Sequence, residues 1–190
     1  MAHHSRRTAS PQLNSSVRLQ KIEMVRPATA QDAALAIEVV RQSITVSCEA
    51  DHKNDGATLD RWLANKKPES FESWIANPEN FCVVAESEGV VRGVGLLHCG
   101  GEVRLFYISP GYQHRGLGRR IHSALESHAL SLGLPKLRLE STLLACKFYE
   151  ALGYIPAGTE KSLFGVLRVY PYEKPLQPNS SIHATAFGGA

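Results

Sequence analysis

A chain of 190 residues, 43% hydrophobic and 21% charged, has the apolar material for one substantial core and so for one domain of ordinary size with tails. Its net charge of +3 is scattered, with no basic stripe interleaved with aromatics, which argues against nucleic-acid binding. No apolar run reaches the roughly 18 residues needed to span a bilayer, and Cys48, Cys82, Cys99 and Cys146 stand far apart without a C-x-x-C pair, which argues against a zinc cage or a disulfide framework.

Residues 1–20 carry Arg6, Arg7 and Arg18 among serines, and no acidic residue. That composition resembles a transit peptide, but no apolar helical stripe accompanies it, so a disordered basic tail is expected and a targeting role is left open. Residues 176–190 are mostly Pro, Ser, Asn, Gly and Ala and read as a second loose tail. The working domain is then 21–175. The widely spaced cysteines fit reduced, mostly buried thiols in a cytoplasmic protein.

Residues 22–26 form a short β-like segment closed by Pro27. Thr29 can cap a helix with Asp32 in its first turn, and Ala33, Ile37, Val40 and Ile44 recur at helical spacing. Residues 48–58 are polar and read as a loop. A second helical region starts at Leu59, is interrupted by Lys66-Lys67-Pro68, and includes Trp62, Phe71 and Trp74. Residues 81–85 form a continuous apolar run, 86–89 a turn, 90–98 a strand, Gly100-Gly101 a turn, and 102–108 a third strand. Short turns make these an antiparallel meander. Gly93 and Gly95 inside the second strand predict a bulge or a close backbone approach.

Then comes Gln113-His114-Arg115-Gly116-Leu117-Gly118. A helical stripe follows it: Leu117, Ile121, Ala124, Leu125, His128 and Leu132, ended by Gly133 and Pro135. Residues 137–141 read as a strand. A short helix over 143–152 has Ala145, Phe148, Tyr149 and Leu152 on one face, and strands over 154–155 and 165–172 close the domain. The strand-to-helix junction at 113–118 aims several backbone N–H groups at one spot, at the positive end of a helix, which suits a phosphate or pyrophosphate. A Walker loop is excluded because no Gly-Lys-Ser/Thr follows. A Rossmann site fits poorly after three antiparallel strands.

The stretch from Leu105 through Ser109-Pro110 to Gly118, with Phe148-Tyr149-Glu150-Ala151-Leu152-Gly153-Tyr154 about thirty residues on, resembles the GCN5-related N-acetyltransferase family. The resemblance covers roughly residues 22–172. It implies an α/β domain with a mixed, mostly antiparallel sheet flanked by helices, and acetyl-CoA as co-substrate. In that reading Gln113, His114, Arg115, Gly116, Leu117, Gly118 and Arg119 grip the pyrophosphate. The backbone of the strand from Phe106 to Ile108 pairs with the pantetheine arm. Tyr149 protonates the departing thiolate; read from its helical face alone, it is equally a core residue. Thr142 stands where many members carry Asn, and offers a cap and a hydroxyl to the cofactor. Glu102 is the first candidate base, with Glu140 and His98 as alternatives.

The segment 48–56 lies where the family builds its acceptor pocket, and its Glu49, Asp51 and Asp55 would attract a cationic amine. No second ligand cluster supports a metal there. The expected activity is acetyl transfer to a primary amine of a small molecule or protein, by direct attack in a ternary complex. The alternative is an acyl-CoA-binding regulatory module without transfer. A homodimer is left open; no nucleic acid or membrane partner is expected.

Overall fold

The computed structural model describes residues 23–177. Strands β1 (Glu23–Pro27), β2 (Asn80–Ser87), β3 (Val90–His98) and β4 (Val103–Ile108) form one antiparallel sheet in that order. A second sheet holds β5 (Lys136–Thr142), β8 (Leu167–Pro175) and β6 (Ile155–Pro156), with β7 (Lys161–Leu163) also on β8. The helices are α1 (Ala33–Gln42), α2 (Glu49–His52), α3 (Gly56–Leu63), α4 (Pro68–Ala76), α5 (Leu117–Ser131) and α6 (Cys146–Glu150).

The first sheet is covered on both faces, which explains the unbroken apolar run in β2. Cys82 and Val84 pack with α1, Trp62 and Phe71, while Val83 and Ala85 face Ile121 and Leu125 of α5. Gly93 and Gly95 mark a close approach. A Cβ on Gly95 would lie 2.6 Å from Ile121 Cγ2 and 3.0 Å from Val83 Cγ2. One ladder irregularity falls at Gly93 itself: Ala85 pairs with Gly93 and Glu86 with Val91, leaving Arg92 as the extra residue; a second falls at Leu96/Leu97. Gly95→Ala should therefore push α5 off the sheet and lower stability by about 1–3 kcal/mol. Urea unfolding reads this directly; an unchanged midpoint would refute the close-packing account.

Several local expectations need correction. The polar stretch 48–58 is largely helical. Lys53 and Asn54, both at φ 54°, end α2, and Asp55 caps α3 by accepting the Thr58 amide at 2.8 Å. A π-type turn over Ser43–Ser47 joins α1 to this segment. β2 runs on through Ser87, and β7 lay hidden inside an irregular stretch. On α5 the buried face is Leu117, Ile121, His122, Leu125 and Ala129; Leu132 is exposed. Among the cysteines only Cys82 is buried and Cys99 is exposed; none is in a disulfide. Leu176, one residue past the expected end of the domain, is buried and donates its amide to Pro135 O at 2.9 Å. The two tails lie outside the described residues, apart from Leu176 and Gln177. Among the described residues no helix is long and apolar enough to cross a membrane.

Candidate active site

β4 and β5 run parallel and touch at one place only. Glu102 bridges Arg138 there, and the Arg138 amide donates to Gly101 O at 2.8 Å. Beyond that bridge no ladder pairs the two strands, which belong to different sheets. One edge of β4 is paired with β3; past the bridge the other edge has no strand on it. Along that edge its backbone groups are open to an extended chain laid beside it, apart from the Ile108 carbonyl, which accepts the Ser43 hydroxyl at 3.0 Å.

The 113–118 turn sits at the open end of this gap, at the head of α5. Gly116 is the N-cap at φ 89°, and His114 also lies in the left-handed region at φ 59°. Arg120 is the first residue of the helix whose amide finds a carbonyl, Gly116 O at 3.2 Å. The amides of Leu117, Gly118 and Arg119 have no backbone acceptor at hydrogen-bond distance among the described residues, as a helix N-terminus dictates. Gln113, His114, Arg115, Gly116 and Arg119 are exposed, Leu117 is buried in the core, and Gly118 is half-buried. A Cβ on Gly118 would lie 3.0 Å from Phe148 Cζ. Glycine thus lets the start of α5 close on α6. The turn can seat a diphosphate on backbone donors at a positive helix end.

Arg115 stacks over the Tyr112 ring at 4.9 Å, and Arg92 lies over the same ring at 4.3 Å. Gln113 donates to Ser47 Oγ at 2.9 Å, tying the turn to the segment between α1 and α2. Ser43, buried in that segment, donates to Ile108 O at 3.0 Å.

Tyr149 lies on α6, 7% exposed, with its ring edge-on to Phe106 (5.8 Å), Phe148 (5.4 Å) and Tyr154 (5.5 Å). The side chain of Phe106 thus faces Tyr149, while Ile108 packs in the same cluster as α5. Burial, with help from the nearby Tyr154, Tyr107 and Cys48, pushes the phenol well above its usual value, so it keeps its proton. Behind it, Tyr154 Oη and His122 Nε2 are 3.2 Å apart, His122 Nδ1 is 3.4 Å from Glu126, and Glu126 holds Lys174 at 2.6 Å. Burial drives His122 down to about 4, leaving the imidazole neutral at pH 7. His122 carried no signal in the sequence beyond its place next to Ile121.

Thr142 ends β5 and holds the N-cap position of the 3-10 turn Leu143–Ala145 without a side-chain cap hydrogen bond. Asp51 of α2 reaches this turn, its Oδ1 accepting the Leu143 amide at 3.1 Å. Burial raises the Asp51 pKa, although the Thr142 hydroxyl and the Leu144 and Leu143 amides favour its charged form. Ser47, Glu49, Ala50, Lys53, Asn54 and Leu144 line an open depression of about 510 Å³ beside this contact. Of the three carboxylates expected to attract an amine, Asp55 is spent on its cap and Glu49 bonds Asn54 Nδ2 at 2.8 Å.

The three candidate bases are not brought to Tyr149. Glu102 stands at the joined end of β4, exposed and bonded to Arg104 at 2.9 Å. Four residues of strand separate it from Phe106, roughly 13 Å at ~3.3 Å each. Glu140 is exposed and paired with Lys161 at 2.6 Å. His98 accepts the Gly100 amide on Nδ1 at 3.0 Å and meets Glu79 across 3.4 Å. With Glu79 and Cys99 it forms the one described group of three metal-type side chains, but its Nδ1 lone pair is already engaged, which leaves the proton on Nε2.

Two parallel strands that pair at one end only, with helix-head amides beyond them and a buried tyrosine beside them, are the arrangement of an acyltransferase-type fold. A family profile described as an acetyltransferase (GNAT) domain matches residues 48–176. The chain belongs to the GNAT acetyltransferase family. An amino-acid acetyltransferase of Pseudomonas putida strain KT2440 is 27% identical over 160 residues, 82% of this chain and 33% of the relative. The chain thus spans about a third of the length of that relative. The GCN5-related N-acetyltransferase structure from Rhodopseudomonas palustris superposes with a TM-score of 0.72 at 22% identity, over 80% of this chain and 95% of that one. The PaiA N-acetyltransferase of Thermoplasma acidophilum, solved in complex with coenzyme A, gives 0.69 at 18% identity, over 82% and 99%. These likenesses bear on the fold.

Proposed function

We propose that this chain transfers the acetyl group of acetyl-CoA to a primary amine, by direct attack of the amine on the thioester. The reading rests above all on the acceptor-less amides of residues 117–119 at the head of α5, which follows the edge strand β4 in the chain. A diphosphate on those amides would run the pantetheine arm along the backbone of Phe106 and Ile108 and place the thioester near Tyr149. Acetyl-CoA supplies the activated acyl group. The protein supplies orientation: two reactants held in one cleft react as if at very high local concentration. The Tyr149 hydroxyl, neutral at all working pH values, donates its proton toward the sulfur as the thiolate departs. None of Glu102, Glu140 and His98 is assigned as the base, because each is bonded away from Tyr149.

A panel of primary amines, scored for thiol release from acetyl-CoA, tests the reading. Amino acids head the panel, since the curated relatives are amino-acid acetyltransferases. At least one amine should accelerate thiol release well above hydrolysis. A raised melting temperature with acetyl-CoA and no release with any amine would leave the binding-module reading standing and remove this one.

A further inference from the structure

A hydroxyl that serves a departing sulfur must be held to within a hydrogen bond's length of it, yet α6, which carries Tyr149, is only five residues long. So short a helix has little stability of its own, and its place is set by what packs on it. Phe106 and Phe148 meet the Tyr149 ring through carbon, which sets the direction of the side chain only loosely. Tyr154 differs. Its amide returns to Tyr149 O at 3.1 Å, its ring lies edge-on to the Tyr149 ring at 5.5 Å, and its hydroxyl stands 3.2 Å from His122 Nε2.

The direction of that last contact follows from the far side of the imidazole. His122 is buried, and burial leaves it with a single ring proton. Its Nδ1 faces the Glu126 carboxylate across 3.4 Å, and an ionised carboxylate only accepts, so the proton sits on Nδ1. Nε2 is then an acceptor, and the buried Tyr154 hydroxyl donates to it. Glu126 is held in turn by Lys174 of β8 at 2.6 Å. The side chains of Tyr154, His122, Glu126 and Lys174 thus form one directed chain, from the tyrosine beside α6 through α5 to β8. α5 is also the helix whose first amides form the candidate diphosphate seat. The chain ties the element that would hold one part of the cofactor to the side chain that would meet its sulfur.

We infer that Tyr154 and His122 are positioning residues for Tyr149. Their hydrogen bond keeps the Tyr154 ring in one place, and that ring keeps the Tyr149 hydroxyl aimed at the departing sulfur. Each acts through Tyr149 and not on the substrate. The inference rests on the transfer reading above, in which Tyr149 is the donor. A reacting group displaced by about 1 Å can lose about 100-fold in rate, so a modest shift of this ring is enough to matter.

Tyr154→Phe removes one oxygen and keeps the ring. With the panel amine that releases thiol fastest, its kcat should fall about 10-fold while the KM for acetyl-CoA stays near wild type. The melting temperature should fall as well, since His122 Nε2 is left buried without a donor. A scaffold role would also lower the melting temperature, so a double-mutant cycle decides between the two. In a Tyr149→Phe background, adding Tyr154→Phe should lower kcat by no more than about twofold further, because no hydroxyl is left to aim. His122→Leu tests the other end of the bond and should also lose about 10-fold in kcat. His122→Gln, which keeps an acceptor oxygen near the place of Nε2, should recover most of that loss. An unchanged kcat in Tyr154→Phe, an equal loss in both backgrounds, or a His122→Gln no better than His122→Leu overturns the inference and leaves transfer intact. A wild-type protein that releases thiol with no amine overturns the transfer reading and this one with it, and the wild-type control tells the two failures apart.

Discussion

Tyr149→Phe should lower kcat by about 100-fold while leaving the KM for acetyl-CoA and the melting temperature close to wild type. The expectation follows from what the substitution keeps and what it removes. The ring contacts to Phe106, Phe148 and Tyr154 are made by carbon and survive in phenylalanine. Only the hydroxyl goes. Because burial holds that phenol above its usual value, it stays protonated throughout the range in which the protein can be assayed. Against a thiol of ordinary pKa ~8.5, full proton transfer from such a phenol is uphill. What the hydroxyl gives the sulfur is a hydrogen bond that strengthens as negative charge builds there, so it acts on the transition state and not on the bound cofactor. Loss should therefore fall on kcat. The pH profile below about pH 9 should show no limb belonging to Tyr149. Single-turnover and steady-state thiol release with one amine would check both points, and a kcat within threefold of wild type would remove Tyr149 from the chemistry.

What the sequence makes legible here is whatever is encoded locally. The meander reads correctly because its strands are joined by short turns, and α5 because its stripe repeats within one helix. The 113–118 turn needs only its two glycines and its place between a strand and a helix. Several of the misreadings involve partners distant in the chain. Asp51 looks like one of three interchangeable carboxylates until Leu143, far along the chain, takes one of its oxygens. Glu102 opens a strand entering the cleft, which favoured it as a base. Its position at the closed end depends on Arg138 of β5, a pairing no window of sequence contains. Leu132 keeps the helical period but lies past the sheet that α5 covers, so periodicity alone overstates its burial. The polar 48–58 stretch hides two helix ends because capping by Asp55 uses the residue types that loops also favour.

Asp32→Ala should cost about 3 kcal/mol of stability without touching the cleft. Its carboxylate joins the end of β1 to the start of α1: Oδ2 accepts the Thr29 amide (2.7 Å), the Thr29 hydroxyl (2.9 Å) and Arg26 Nη1 (2.8 Å), and Oδ1 accepts Arg26 Nη2 (2.8 Å). The group is 6% exposed, so removing it strands the Thr29 amide and leaves Arg26 with Glu86 and the Pro27 carbonyl. The Arg26 hydrogen bonds are the main reason its pKa falls from 3.8 to about 2. A folded pKa below the unfolded one means that the stabilisation is fully present above pH 3.8 and fades as the pH drops toward 2, with about 2 kcal/mol at stake. The gap between wild type and Asp32→Ala in urea unfolding should therefore be widest above pH 5 and shrink by about that amount by pH 2. A gap of constant size would mean that the ion pair contributes little and that the loss belongs to the Thr29 cap. In either case the KM for acetyl-CoA should not move, because Asp32 anchors α1 at the end remote from Ser43 and the acceptor segment, and that separation distinguishes a lesion of the scaffold from one of the site.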